Sequence, residues 1–255
     1  MPRVARIKSE TGIYHIILRG NNRQVIFQDN EDKMKFLYKL LDYKEVCEYE
    51  VYAYCLMGNH VHLVLKEGLE PLDQIMRRIG ASYVRWYNDK YERIGNLFQD
   101  RFKSEPVETD AYLKTVIRYI HQNPVKACIE NHILDYKWSS YQEYIGKVKN
   151  TLVDRDYILE MYNKDIKKAV AAFIAFSNEY RDDKCLEIKE KKKRISDCEF
   201  IEIFKKKFNI DPTALQREEK VKAEDILKKA MEIEGITTRQ LARVTGISAN
   251  TIWRL

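Results

Sequence analysis

No stretch of this sequence is apolar for long enough to cross a bilayer. Its longest apolar runs, such as Ile16 to Leu18 or Ala169 to Phe176, fall far short of the roughly 20 residues a spanning helix needs. The opening segment, Met1 to Glu10, is basic but has no apolar stretch behind it, so no secretory signal is read there and the expected compartment is the cytoplasm. Cysteine is scarce: five residues (Cys47, Cys55, Cys128, Cys185, Cys198) form no C-x-x-C pair. An odd, scattered set reads as reduced packing thiols and argues against a cysteine zinc site. Internal repeats and extended low-complexity tracts are also lacking.

What is present suits a folded protein. With 255 residues, 45% of them apolar and 33% charged, the chain fits one larger domain and a small accessory one. A formal charge of +6 is only mildly basic, but its distribution is uneven. Residues 1–24 hold Arg3, Arg6, Lys8, Arg19 and Arg23 against one acid, Glu10. From Gly235 onward there are Arg239, Arg243 and Arg254 and no acid. The cluster from Lys189 to Arg194 reads as a solvated linker.

The first 150 residues alternate strand and helix signals. Ile13 to Leu18 is β-rich and ends at the turn-forming Arg19-Gly20-Asn21-Asn22-Arg23. Asp29 or Asn30 caps a helix with Met34, Leu37, Tyr38 and Leu41 on one stripe. Val51 to Met57, the turn Gly58-Asn59 and His60 to Leu65 read as two more strands. Pro71 opens a helix reaching Tyr87 or Tyr91, with Ile75, Ile79 and Val84 as core contacts. Gln99 to Val107 is the fourth strand candidate, and Thr109 or Asp110 caps a helix running toward Pro124. The order β-α-β-β-α-β-α predicts an α+β fold: a ferredoxin-like antiparallel sheet with helices on one face and one added helix. Further on, Asp154 to Tyr180 reads as helical and 181–196 as a charged linker. The expected division is a domain over 1–145, a helical extension and linker over 146–196, and a helical domain over 197–255.

His60 and His62 are the sharpest chemical feature. Two apart on a strand, they project to one face, while Val61, Leu63 and Leu65 point the other way into the core. Two imidazoles on an open sheet face can hold a divalent cation and leave positions for substrate. A bare H-x-H also arises from two unrelated histidines. The apolar bracketing by Cys55-Leu56-Met57 and Leu63-Val64-Leu65 puts the pair on a central strand, and only His15, His121 and His132 exist besides. No H-x-H-x-D-H run occurs, as a binuclear hydrolase wants, and no H-x-E with a later C-x-x-C, as a zinc deaminase needs.

Tyr119 and Asn123 lie four apart on one helix face, beside an apolar stripe of Leu113, Val116, Ile117 and Ile120. A tyrosine there can reach the sheet with its hydroxyl exposed. Its oxygen is a weak nucleophile until a cation or base favours the phenolate. Asn123 offers an amide oxygen as a third ligand, at a helix end that Pro124 is expected to fray. Seventeen tyrosines are present, and Tyr83, Tyr87, Tyr91 and Tyr112 also fall on expected helices, so spacing alone does not single out Tyr119.

Five segments then act together. They are Gly12 to Arg23 (GIYHIILRGNNR), Tyr54 to Leu63 (YCLMGNHVHL), Gly95 to Ser104 (GNLFQDRFKS), Arg118 to Ala127 (RYIHQNPVKA) and Trp138 to Tyr141 (WSSY). In this order they resemble the single-tyrosine HUH transposases, most of all the branch associated with repetitive extragenic palindromes, over about residues 1–180. The resemblance implies the HUH nuclease fold, a metal-binding pair His60 and His62, and a nucleophilic Tyr119 that forms a 5′-phosphotyrosine link and frees a 3′-hydroxyl. It also implies Mg²⁺ or Mn²⁺ as cofactor and a setting on the bacterial nucleoid. Where many relatives carry Gln four residues after the tyrosine, this chain has Asn123. Single-stranded or hairpin DNA is the implied partner, with Arg19, Asn21, Asn22, Arg23, Arg101 and Lys103 as candidate contacts.

The C-terminal Leu241 to Ile252 has the spacing of a helix-turn-helix: Ala242 for close crossing, Gly246 for the turn and Ile252 to lock the second helix. Ser248 caps that helix, and Arg239, Arg243, Asn250, Thr251 and Arg254 are the expected duplex contacts. The sequence stops early in the second helix, which would leave a shortened reader. The function expected is cleavage and rejoining of single-stranded DNA at hairpin-containing sites. A non-catalytic hairpin- or duplex-binding regulator and a replication-initiation nuclease of the same chemistry stay open, as does the choice between monomer and homodimer.

Overall fold

The alternation of apolar and polar residues in the first 110 positions gives four strands whose registers fix which side chains share a face. A computed structural model describes residues 6–148, 152–187, 195–233 and 235–254. They belong to two compact units, within 1–187 and within 188–255. Arg3 and the Lys189 to Arg194 cluster lie outside the described residues.

In the first unit, β1 (Ile13–Arg19), β2 (Glu50–Met57), β3 (His60–Lys66) and β4 (Lys103–Pro106) form one sheet in the order β2-β3-β1-β4. All three pairings are antiparallel. This is the strand order of the ferredoxin-like pattern. Parallel strands β1 and β2 are joined through α1 (Asn30–Cys47), and β3 and β4 through α2 (Leu72–Lys90). The two helices pack on each other, as expected when crossovers between parallel strands share one hand. Asp29 caps α1 through a capping box with Asp32, which satisfies two of its free N–H groups.

Three local expectations change. The buried stripe of α1 is Phe36, Leu40 and Cys47, while Met34 and Tyr38 are exposed. Phe36 turns inward because it meets Phe27 and Tyr83 edge-on, at 5.6 and 5.2 Å between ring centres. β4 is shorter than Gln99 to Val107: Asp100 takes a left-handed φ of 53°, and the chain before it pairs with the Gly20 turn instead. Finally, α3 (Asp110–Lys126) runs through Pro124 rather than fraying before it, with Thr109 as its cap.

The added helix α3 decides the architecture of the site. It packs on β2 and β3 from the side of His62, so that face of the sheet is not open. Small helices α4 (Tyr141–Tyr144), α5 (Arg155–Glu160) and α6 (Ile166–Asn178) follow, and Leu152, Ile158, Leu159, Ala169 and Phe173 join the same core as the sheet. The free edge of β2 is closed by the Trp138 to Tyr141 segment. Leu56 donates to the Trp138 carbonyl at 2.9 Å, and the Ser140 N–H donates to the Tyr54 carbonyl at 3.0 Å. Covering this edge removes a row of unpaired peptide groups.

The second unit is helical: α7 (Asp197–Phe208), α8 (Lys220–Met231), α9 (Thr238–Thr245) and α10 (Ala249–Trp253). Its own core holds Phe200, Phe204, Leu215, Leu227, Leu241 and Ile252. Between α9 and α10, Gly246 sits at φ 72°, and a Cβ there would stand 2.0 Å from the Gln216 amide. The left-handed φ favours glycine, and any larger residue would also push the Gln216 side chain aside. No helix among the described residues is long and apolar enough to cross a membrane.

Candidate active site

The turn after β1 and the β2–β3 hairpin are built into each other. Gly20 donates its N–H to the Asn59 carbonyl at 2.9 Å, and Ile26 donates to the Gly58 carbonyl at 2.9 Å. A Cβ on Gly20 would lie 2.1 Å from the Gln24 carbonyl oxygen, so the tight turn needs glycine. This docking holds Asn59, whose side-chain oxygen accepts from His60 Nδ1 at 2.6 Å. An amide oxygen only accepts, so His60 carries its proton on Nδ1 and leaves Nε2 with a free lone pair. That is the state in which a histidine binds a metal ion.

Register brings the other groups to the same face. His62 stands opposite Ile17 on β1 and Cys55 on β2, and His15 stands opposite Val64 and Glu105. The His60 and His62 rings meet edge-on with centres 5.1 Å apart. His15 Nε2 and His62 Nδ1 are 3.2 Å apart and share one proton between them. Tyr119 on α3 closes the group, with its ring centre 5.7 Å from His62 and 5.9 Å from His15.

This cluster is drier than the sequence suggests. His62 is only 3% exposed because α3 lies over it, and Tyr119 is only 5% exposed. Burial pushes His60 down to about 4, with the charge of Arg19 adding to it. Burial likewise holds His62 well below its ordinary value, helped by His15 and His60. Neutral imidazoles are the metal-binding form. The Tyr119 phenol is pushed the other way, up, by burial first and then by the negative charge of Glu187.

The expectation of an exposed Tyr119 hydroxyl is therefore corrected. Its oxygen donates to Glu187 Oε1 at 3.4 Å, and the segment carrying Glu187 is tied down beside it. Arg118, 2% exposed, makes a two-pronged ion pair with Asp183 at 2.6 and 2.8 Å. Gln122 donates to the Ser177 and Glu179 carbonyls, both at 2.9 Å, and the Leu186 N–H donates to Glu105 at 2.9 Å. Asn123 is half-buried one turn beyond Tyr119 and donates to the Tyr119 carbonyl at 3.2 Å, which leaves its side-chain oxygen as an acceptor.

The other tyrosines on these helices are committed elsewhere. Tyr83 donates to the Ile26 carbonyl at 2.6 Å and Tyr87 to the Val25 carbonyl at 3.2 Å. Tyr91 reaches Asp29 and Asp32 near Lys90, and Tyr112 sits beside Glu105 and Cys185. Among the described residues, no three or more His, Cys, Asp or Glu side chains are grouped to hold a metal. The groups here that could hold a cation are the two imidazoles and the Asn123 amide oxygen. Such a partly open donor set fits a Lewis-acid ion.

Residues 8–123 match the family described as IS200-like transposases. That match covers β1 through Tyr119 and Asn123. Over those residues the chain is similar to this transposase family. No curated protein matches the chain. Among solved structures, the chain resembles a REP-associated tyrosine transposase bound to a REP hairpin, at 16% identity and a TM-score of 0.49 over 61% of this chain and 98% of that one. A transposase candidate from Deinococcus radiodurans R1 aligns at 18% identity and a TM-score of 0.34, over 51% of this chain and 97% of that one.

The candidate DNA contacts of the first unit fall in two places. Arg19, Asn21, Asn22 and Arg23 cluster at the turn beside His60, where Arg19 pairs in register with it and the other three are exposed. Arg101 and Lys103 are exposed on the β4 side and line a cavity of about 880 Å³ with Arg6, Phe98 and Phe102. In the second unit Arg239, Asn250 and Arg254 are exposed, but Arg243 is held by Asp197 at 2.6 and 2.7 Å, and Thr251 by Ser248 at 2.7 Å. Sequence reasoning passed over Asn59, His15, Glu105 and Glu187. The first adjoins His60 in sequence and was recoverable. The others meet the site only through register and a segment 68 residues downstream of Tyr119.

Proposed function

We propose that this protein cleaves and rejoins single-stranded DNA at hairpin-containing sites, as a transposase, through a covalent link to Tyr119. One observation carries the reading: the Tyr119 ring meets the buried His62 ring at 5.7 Å, and His62 meets His60 at 5.1 Å. A potential nucleophile beside a neutral imidazole pair that can hold a cation is an arrangement metal-assisted phosphodiester transfer can use.

His60, His62 and Asn123 would hold a divalent cation, Mg²⁺ or Mn²⁺. Polarisation of the scissile phosphate, by Lewis acidity, is what that cofactor supplies when bound. The rest falls to the chain. Burial keeps the two imidazoles unprotonated at neutral pH. Arg19, Asn21, Asn22 and Arg23 lie where a strand's phosphates would pass His60. The Tyr119 oxygen bonds to phosphorus as its proton passes to solvent, the P–O3′ bond breaks, and the 3′ oxygen takes a proton from solvent. A phosphotyrosine ester conserves the bond energy, so a 3′-hydroxyl can reverse the step without ATP.

Glu187 favours a second reading, because a covered Tyr119 hydroxyl also suits a regulator that binds hairpins without cutting them. Incubating the full chain with hairpin-bearing single strands and Mn²⁺ separates the two. A nucleotide adduct on Tyr119, found by peptide mass spectrometry, supports the transposase reading, and tight binding with no adduct under any metal supports the regulator.

A further inference from the structure

Three residues from three strands form a line across the face of the sheet. Glu105 on β4 stands directly opposite His15 on β1, and His15 is the diagonal neighbour of His62 on β3. The distances follow that register: Glu105 Oε2 to His15 Nδ1 is 3.7 Å, and His15 Nε2 to His62 Nδ1 is 3.2 Å. The two rings lie nearly parallel, 24° between planes. His15 is fully buried, and its Nδ1 faces no hydrogen-bond partner nearer than Glu105. Neither the cleavage chemistry proposed above nor packing alone calls for a carboxylate and a second histidine in this line.

We propose that Glu105 and His15 are positioning residues that set which nitrogen of His62 is free to bind a metal ion. This rests on the reading of His60 and His62 as ligands. The reasoning is a count of protons along the line. A carboxylate accepts and does not donate, so it favours a proton on the His15 nitrogen that faces it, Nδ1. His15 Nε2 then holds a lone pair, and the proton in the 3.2 Å contact belongs to His62 Nδ1. His62 Nε2 is left bare, which is the ligand atom required. The reverse order puts a lone pair of His15 against the carboxylate and a proton on His62 Nε2, where it would block coordination.

His60 reaches the same state through Asn59 Oδ1. The two ligands would thus be prepared separately, one by a turn residue at the rim and one by a buried relay ending at Glu105. Glu105 also accepts the Leu186 N–H at 2.9 Å, so one carboxylate serves both the relay and the segment that covers Tyr119.

The test reads the proton directly. Long-range ¹H–¹⁵N NMR of the metal-free full chain, labelled in histidine, should show His62 protonated on Nδ1 and bare on Nε2. The opposite tautomer overturns the proposal. Mn²⁺ binding, followed by electron paramagnetic resonance, gives the second reading. His15→Phe keeps a ring but removes the acceptor, and it should weaken Mn²⁺ binding by about 10- to 100-fold. Glu105→Ala should act in the same direction. His15→Gln returns an acceptor near the position of Nε2 and should recover most of the affinity, which a loss of packing alone would not predict. Thermal melting by circular dichroism checks that each variant is folded. Equal binding by wild type and a folded His15→Phe overturns the relay while leaving the ligand pair standing. No Mn²⁺ binding by the wild type overturns the ligand pair itself, and the tautomer measurement then still decides the order of protons.

Discussion

The Tyr119 hydroxyl and the Glu187 carboxylate lie 3.4 Å apart, and the charge of the second adds to burial in holding the first in its protonated form. A negative charge beside a buried phenol disfavours the phenolate needed for attack. Glu187→Gln keeps a hydrogen-bond acceptor and removes the charge. The Tyr119 phenol should therefore ionise at lower pH, and the alkaline rise in adduct formation should move to lower pH with it. Single-turnover adduct formation across a pH series measures this, and an unmoved profile would remove Glu187 from any role in controlling Tyr119.

Tyr119→Phe should bind hairpin DNA and Mn²⁺ as the wild type does and form no covalent adduct. The ring contacts to His15 and His62 are kept, and only a long hydrogen bond at the surface of the cluster is lost. Stability should change by less than about 1 kcal/mol. An adduct that persists in this variant would assign the nucleophile to another residue.

His60→Ala and His62→Ala should both abolish nicking yet differ in stability. His60 is partly buried at the start of β3, at the rim of the cluster, so its loss should cost less than that of His62. His62 is packed between His15 and Tyr119, and its truncation leaves a cavity and an unpaired His15 nitrogen, costing about 2–4 kcal/mol. Urea unfolding compares the two. Equal stability would mean that the cluster is looser than its geometry indicates.

Stability should fall as pH drops below the ordinary histidine range. Burial lowers His60 to about 4 and His121 to about 3, and it lowers His15 and His62 as well. Between roughly pH 6.5 and those values the unfolded chain binds protons that the folded chain does not, so stability rises with pH across this window. Chemical denaturation from pH 4 to 8 should show the slope, and His60→Ala should flatten part of it. A wild type equally stable at pH 4.5 and 7.5 would contradict the burial of these rings.

Much of this was readable from sequence, for physical reasons that can be named. The order of strands and helices follows from periodicity and capping, and the placement of His60 and His62 on one face follows from the two-residue repeat of a strand. Asn123 one turn past Tyr119 is likewise a local matter. What was not legible is set by pairing. Nothing local to His15 says that β1 lies beside β3, or that Glu105 will stand opposite it. The cover on Tyr119 depends on Arg118 meeting Asp183, 65 residues away. The α1 stripe failed for a simpler reason, since Met34 and Tyr38 carry large, partly or wholly apolar side chains at helical spacing, as Phe36 and Leu40 do, and only tertiary packing decides between them.

Removing residues 197–255 should leave nicking of a short single strand nearly unchanged, because every group at the proposed site belongs to the first unit. Duplex binding should weaken and its salt dependence should flatten if α9 and α10 act as a duplex reader. Arg239→Ala should lower the salt slope by about one, whereas Arg243→Ala should matter less for contact and more for folding, given its pairing with Asp197. Fluorescence anisotropy over a salt series measures both. Identical slopes for the full and shortened chains would rule out a duplex reader in this unit.

The edge of β2 has one more consequence, and it concerns time. Tyr54 is sealed by Ser140, which follows it by 86 residues. A ribosome adding about 5–20 residues per second leaves this apolar strand uncovered for several seconds on every molecule made. The nascent chain therefore passes through a stage in which β2 can recruit a neighbour on the same messenger. A gene fragment ending at residue 123 would hold the protein at that stage permanently, even though it encodes every proposed catalytic side chain.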